Sequence, residues 1–111
     1  MPWRRYGCAS ERETVADVEE AARRLLRAMN ENQAHSREGS PVKPGEEEAI
    51  DAGLRPGSTL YRSAVWWLLD KEALVPDREA NARARRNAAG AQHGDFTFRI
   101  TRHGLDMLRG A

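Results

Sequence analysis

The sequence predicts a mainly α-helical domain closed by a small β-hairpin, an α+β fold. Three observations predict it. Val15, Val18, Ala22, Leu25, Leu26 and Met29 recur at intervals of three and four residues, the spacing of an amphipathic helix with one buried stripe. A second helix-like run spans 58–74. Phe96, Phe98 and Ile100 then alternate with Thr97, Arg99 and Thr101, the period-two pattern of a half-buried strand. A chain of 111 residues fits one domain. It buries roughly two thirds of its unfolded surface, enough for a core without metal or disulfide staples. Residues 1–13 read as an N-terminal arm and 14–111 as the domain.

The first helix has two candidate starts. Ser10 with Glu13, and Thr14 with Asp17, both have capping-box spacing. Its other face is charged, with Glu19–Arg23 and Glu20–Arg24 pairs four residues apart that add modest support. The pattern is expected to fray beyond Asn32. Residues 35–45 hold Gly39, Ser40, Pro41, Pro44 and Gly45, and read as a loop. A short helix over 46–52 is expected to turn Ala49 and Ile50 inward. Its leading Glu46, Glu47 and Glu48 suit the positive end of the helix dipole. Gly53 stops it, with Leu54 packed behind the stop.

Arg55, Pro56 and Gly57 make a turn, and Ser58 or Thr59 caps the next helix, over 58–72. Tyr61, Ala64, Val65, Leu68 and Leu69 form its inner face, bordered by Trp67. Thr59, Arg62, Ser63, Trp66 and Asp70 form the outer one. Leu74 and Val75 begin a strand that Pro76 limits. Residues 77–95 show no apolar periodicity and contain Gly90 and Gly94, so about 76–95 reads as a long loop between the strands. Thr101 is placed to cap a last helix whose Leu105 and Leu108 return to the core.

Charge is dense and nearly balanced, with 18 Lys and Arg against 17 Asp and Glu. The total therefore does not announce a nucleic-acid binder. Its distribution is uneven. Residues 1–44 carry eight basic and seven acidic side chains, a net of +1. Residues 45–76 carry three and six, a net of −3, and residues 77–111 carry seven and four, a net of +3. Sixteen of the 18 basic residues are Arg, which G- and C-rich coding also explains. Cys8 is the single cysteine, so no intrachain disulfide is possible and a reducing compartment fits. No secretory leader and no run of ~20 apolar residues is visible. The expectation is a cytoplasmic protein without membrane contact.

Two segments carry a family resemblance. The helix over 46–52 turns through Gly53-Leu54-Arg55-Pro56-Gly57 into the longer helix, and Trp67-Leu68-Leu69-Asp70-Lys71-Glu72-Ala73-Leu74-Val75 follows. That run resembles the end of a winged-helix recognition helix, which reads Leu, two or three charges, Gly, then Leu-Ile. Phe98-Arg99-Ile100-Thr101-Arg102-His103-Gly104-Leu105 resembles the wing-strand ending Tyr-x-Leu-Thr-x-x-Gly. There Thr caps the last helix and Gly permits close packing. Residues about 14–110 thus resemble a winged helix-turn-helix domain of bacterial regulators. Ala73 stands where the family has Gly, and the loop of about nineteen residues exceeds the usual handful.

The resemblance implies binding of double-stranded DNA by a small transcriptional regulator. The second helix of the pair would enter the major groove. Arg62 would bond guanine bidentately, while Thr59 and Ser63 reach phosphate or a base edge. Arg78, Arg83, Arg85 and Arg86 would lie along phosphate or reach a minor groove. The same four also fit a plain surface loop. The three glutamates oppose DNA docking at the start of the helix pair. Trp66 has three readings: packing at the core edge, contact with a protein partner, or contact with DNA. Trp3 and Tyr6, with Arg4 and Arg5 between them, form a basic-aromatic arm. A homodimer contact is its expected use, with groove insertion and an unstructured arm as the others. A winged-helix protein-interaction module without nucleic acid is the alternative function.

Catalysis is not expected. His35, His93 and His103 lack metal-ligand spacing with one another or with Cys8. No phosphate loop, nucleophile elbow or dinucleotide fingerprint is present. No cofactor is implied.

Overall fold

The computed structural model describes residues 15–87 and 96–110, with side chains over 17–84 and 96–110. Trp3, Tyr6, Cys8, His93 and the two candidate caps, Ser10 and Thr14, lie outside the described residues. Helix α1 spans Val15–Met29. From Ala21 onward its stripe is buried, with Ala21, Ala22, Leu25, Leu26 and Met29 fully enclosed. Ala21 and Ala28 widen the stripe beyond the sequence pattern, because helices pack on two sides of it. The expected fraying does not occur. The helix continues into a wide π turn, Asn30–Ala34, ended by left-handed residues His35 and Ser36. The Asn30 side chain closes this end by accepting the Ser36 N–H at 2.7 Å.

Residues 35–45 do not form a plain loop. Pro41–Val42 is a short strand, β1, with Val42 buried. Breaker residues around it hid it, and its neighbours supply what two residues cannot. The Gln33 amide donates to the Lys43 carbonyl at 2.7 Å and accepts the Lys43 N–H at 2.8 Å. A side chain thus stands in for a strand partner. Pro41, with no N–H to offer, suits an edge position.

Helix α2, Glu46–Asp51, ends as expected. Gly53 is left-handed (φ +78°). The Gly53 N–H reaches the Ile50 carbonyl, and the Leu54 N–H reaches Ala49, the Schellman arrangement. Ile50 is not inward, as the sequence suggested, but 61% exposed. Ala49 is buried as expected, and Ala52 takes the second inward place, with Glu48 beside them. Six residues give too little periodicity to fix a buried face.

Helix α3 spans Thr59–Asp70, and the Ser58 Oγ caps it by accepting the Tyr61 N–H at 3.2 Å. Tyr61, Ala64, Val65 and Leu68 face α1 and the core, and the Tyr61 hydroxyl donates to the Pro44 carbonyl. At its far end Glu72 takes the left-handed position (φ +59°) that Gly usually fills. The Ala73 N–H then bonds Leu68 at 2.9 Å.

Strand β2, Leu74–Pro76, pairs antiparallel with β3, Phe98–Ile100, which also pairs with β1. The sheet order is β1-β3-β2. Val42, Leu74, Phe98 and Ile100 point inward from all three strands. The connection from β2 to β3 is the largest correction. The sequence reads 76–95 as loop, yet Arg78–Asn87 is a helix, α4. It forms without an apolar stripe because Asp77 caps it, accepting the Ala80 N–H at 3.2 Å.

Thr101 caps the last helix, α5 (Arg102–Gly110), by accepting the Gly104 N–H at 3.0 Å. Its hydroxyl also donates toward the carbonyls of Glu72 (2.7 Å) and Ala73 (3.1 Å). Gly104 is required here. A Cβ on it would sit 2.5 Å from the Ala73 carbonyl oxygen, which is backbone and cannot yield cheaply. Gly104→Ala is therefore expected to lower the unfolding free energy by about 2 kcal/mol. Glu72→Gly, which removes left-handed strain, is expected to raise it by about 0.5–1 kcal/mol. Urea titrations of both variants check the two signs. A Gly104→Ala midpoint equal to that of the parent would refute the close approach.

Candidate nucleic-acid interface

The Ser58 cap sets where α3 begins, and its buried face fixes which residues turn outward. Thr59, Arg62 and Trp66 are exposed and Ser63 is half-buried, all on one long face, with exposed Asp70 at its end. Trp66 is 61% exposed, so it is not a buried core residue. Among the described residues no carboxylate lies within ion-pair distance of Arg62. Its five donors are therefore available to a carboxylate, phosphate or base edge.

Trp67 is different. It packs against the core, half-buried, with Arg23 of α1 at 6.0 Å and Lys71 at 5.8 Å from the ring centre. Arg23 is itself held by Glu19 at 3.1 Å and donates toward the Met107 carbonyl. The indole thus meets α1 through Arg23, which itself reaches α5, and two cations favour its π face.

The three glutamates of α2 do not act alike. Glu46 and Glu47 are exposed, but Glu48 is folded in and accepts from the Asn32 amide at 3.2 Å. The same amide reaches Asp51 at 3.0 Å. Two carboxylates, not three, present themselves to solvent at the start of α2.

Helix α4 carries the basic residues. Arg78 and Arg83 are exposed, and Arg85 and Arg86 lie in its later turns. Arg83 pairs with Glu79 at 3.1 Å, but both side chains are largely in water, so the pair holds little energy. A phosphate can displace it. The root of α4 is tied to the sheet. The Asp77 carboxylate meets Arg99 at 3.0 Å, Arg99 donates to the Gly39 carbonyl at 2.8 Å, and the Asn81 side chain accepts the Thr97 N–H at 2.6 Å.

Sequence reasoning missed Asp77, Asn81 and Arg99. A signal existed for the first: an N-cap Asp before an Ala-rich run containing a Glu79–Arg83 pair four apart. The structure gathers Thr59, Arg62, Ser63 and Trp66 on one face of α3, and Arg78, Arg83, Arg85 and Arg86 on α4. Trp3 and Tyr6 remain outside the described residues.

Among the described residues no three His, Cys, Asp or Glu side chains gather as a metal site, and no helix is long and apolar enough to cross a membrane. No family model, curated protein or solved structure matches this chain.

The two neighbouring indoles give a direct check of this geometry. Trp66→Ser is expected to cost less unfolding free energy than the loss of the more buried Trp67. Trp67→Ala is expected to cost about 2 kcal/mol through lost packing. Equal losses in chemical denaturation would contradict the assignment of faces.

Proposed function

We propose that this chain is a winged helix-turn-helix protein that binds double-stranded DNA, as a small transcriptional regulator. The observation that carries the reading is the outer face of α3. It is the second helix of a helix–turn–helix pair, turned to solvent along its length, with Arg62 flanked by the hydroxyls of Thr59 and Ser63. The element order and the β1-β3-β2 sheet support the winged-helix part of the reading. In it, α3 enters the major groove and Arg62 contacts a base edge. Helix α4 is an elaborated wing, and Arg78, Arg83, Arg85 and Arg86 contact phosphates. Because α2 presents Glu46 and Glu47, α4 supplies most of the electrostatic grip. A homodimer, paired through the arm with Trp3 and Tyr6, fits a two-fold operator with half-sites about one helical turn apart.

Anisotropy of a fluorescent random-sequence duplex tests this. Binding is expected at ~10 μM protein in low salt, since non-specific affinity alone reaches that range. Changing Arg83, Arg85 and Arg86 together to Ala is expected to flatten the log–log salt slope by about two to three units. No binding in low salt sinks the proposal.

A second reading rests on Trp66 and Ile50, each 61% exposed. Large apolar side chains in water favour a protein-interaction module without nucleic acid. That reading expects self-association or a retained protein partner, with loss on Trp66→Ser. A monomer by light scattering that retains no partner counts against it.

A further inference from the structure

Among its described side chains, helix α4 buries no apolar one. Over 78–84 the one buried side chain is Asn81, at 9% exposure, and an isolated ten-residue helix is marginal in water. The bonds that hold it among the described residues lie at its root, and they are polar. The Asp77 N–H donates to the Thr97 carbonyl at 3.0 Å, and the Asn81 N–H donates to the Asp77 carbonyl at 2.9 Å. The Asp77 carboxylate caps Ala80 and meets Arg99, while the Asn81 side-chain oxygen accepts the Thr97 N–H at 2.6 Å. Asp77 and Thr97 stand directly beyond the last ladder pair, Pro76 with Phe98. The helix therefore continues from β2 with its cap and first turn bonded to the β3 side, at Thr97 and Arg99.

We infer that Asn81 and Asp77 form a polar latch that holds helix α4 in one orientation on the sheet, so that its arginines meet the phosphate backbone of duplex DNA as a preformed array. This inference rests on the DNA-binding reading above. Asn81 is a positioning residue and touches no ligand. Its contribution is to complete the ordering of α4 during folding, so that binding does not bear that cost. Without the Asn81 oxygen, the Thr97 N–H loses its partner and the arginines sit on a segment that must order itself on DNA.

The test pairs local structure with affinity at constant net charge. In Asn81→Ala, backbone chemical shifts of α1 and α3 are expected to stay native, while those of 78–87 lose their helical offset. Its Kd for a random 20-base-pair duplex at fixed low salt is expected to rise about tenfold. Ile100→Val serves as the control. It lowers the denaturation midpoint through the core and is expected to leave Kd unchanged, which a general loss of stability would not do. If Asn81→Ala fails to fold, the double variant Ala82→Gly and Ala84→Gly weakens α4 by helix propensity alone, altering no charge and no latch group. The same tenfold loss is then expected. Retained helical shifts, or an unchanged Kd once the helix is lost, overturn the latch. If the parent protein binds and the variants bind equally, the latch fails alone. If the parent does not bind duplex at all, the functional reading falls and the latch with it.

Discussion

Thr101 holds together the junction of α3, β2, β3 and α5, through the carbonyls of Glu72 and Ala73 that follow α3. A helix terminus leaves four carbonyls without intrahelical donors, and at the end of α3 those of Trp67, Leu68 and Leu69 are met by the N–H groups of Lys71, Ala73 and Glu72. Here the Thr101 N–H and hydroxyl both reach Ala73, the hydroxyl also reaches Glu72, and the same oxygen accepts the Gly104 N–H. One side chain thus ties down the turn that follows α3, ends β3 and begins α5. Gly104 lets α5 come close enough for this, because any Cβ there would meet the Ala73 carbonyl. The position of α3, and therefore what its outer face can reach, depends on this junction. So does the register of β2 against β3, which starts from Leu74 opposite Ile100 directly beside it.

Features set by local chemistry were legible in the sequence. The α1 stripe, the Ser58 and Thr101 caps, the Gly53 stop and the alternation of Phe98 and Ile100 each need only a few neighbouring residues. Features set by distant partners were not. Strand β1 is two residues long and depends on β3 and on the Gln33 amide. No pattern within 35–45 encodes either partner. Ile50 was misplaced because a six-residue helix has little period to read. Helix α4 was missed for a more instructive reason. Apolar periodicity detects helices held by burial, and α4 is held by Asp77 and Asn81 instead. At the candidate site the outward set Thr59, Arg62, Ser63 and Trp66 was legible as the complement of a buried stripe. The separate role of Glu48 was not, since it depends on Asn32, sixteen residues away.

The charge distribution gains meaning from this architecture. Glu46 and Glu47 remain exposed on α2, while four arginines ride on α4 against one glutamate, Glu79. At physiological ionic strength a charge is felt over about 8 Å. Two carboxylates therefore oppose a polyanion only if α2 itself is pressed against it. A docking pose led by the start of α2 brings them within that range. Screening thus selects the direction of approach for the proposed DNA contact, even though the total charge is close to zero.

The polar root of α4 also follows from the size of the sheet. Strands of two and three residues offer no apolar area on which an additional helix could bury a stripe, and that area is already filled by α1, α3 and α5. A few short hydrogen bonds are the remaining means of attachment. Their chemistry suits the proposed task. The bond from Thr97 to Asn81 involves no net charge, so salt that screens arginine–phosphate contacts leaves it largely intact. The Asp77–Arg99 pair is ionic, but the Asp77 side chain is only 12% exposed, and partly buried pairs are screened far less than surface ones. The helix can therefore release a polyanion as salt rises without coming loose from the sheet, which separates the strength of the contact from the integrity of the element that makes it.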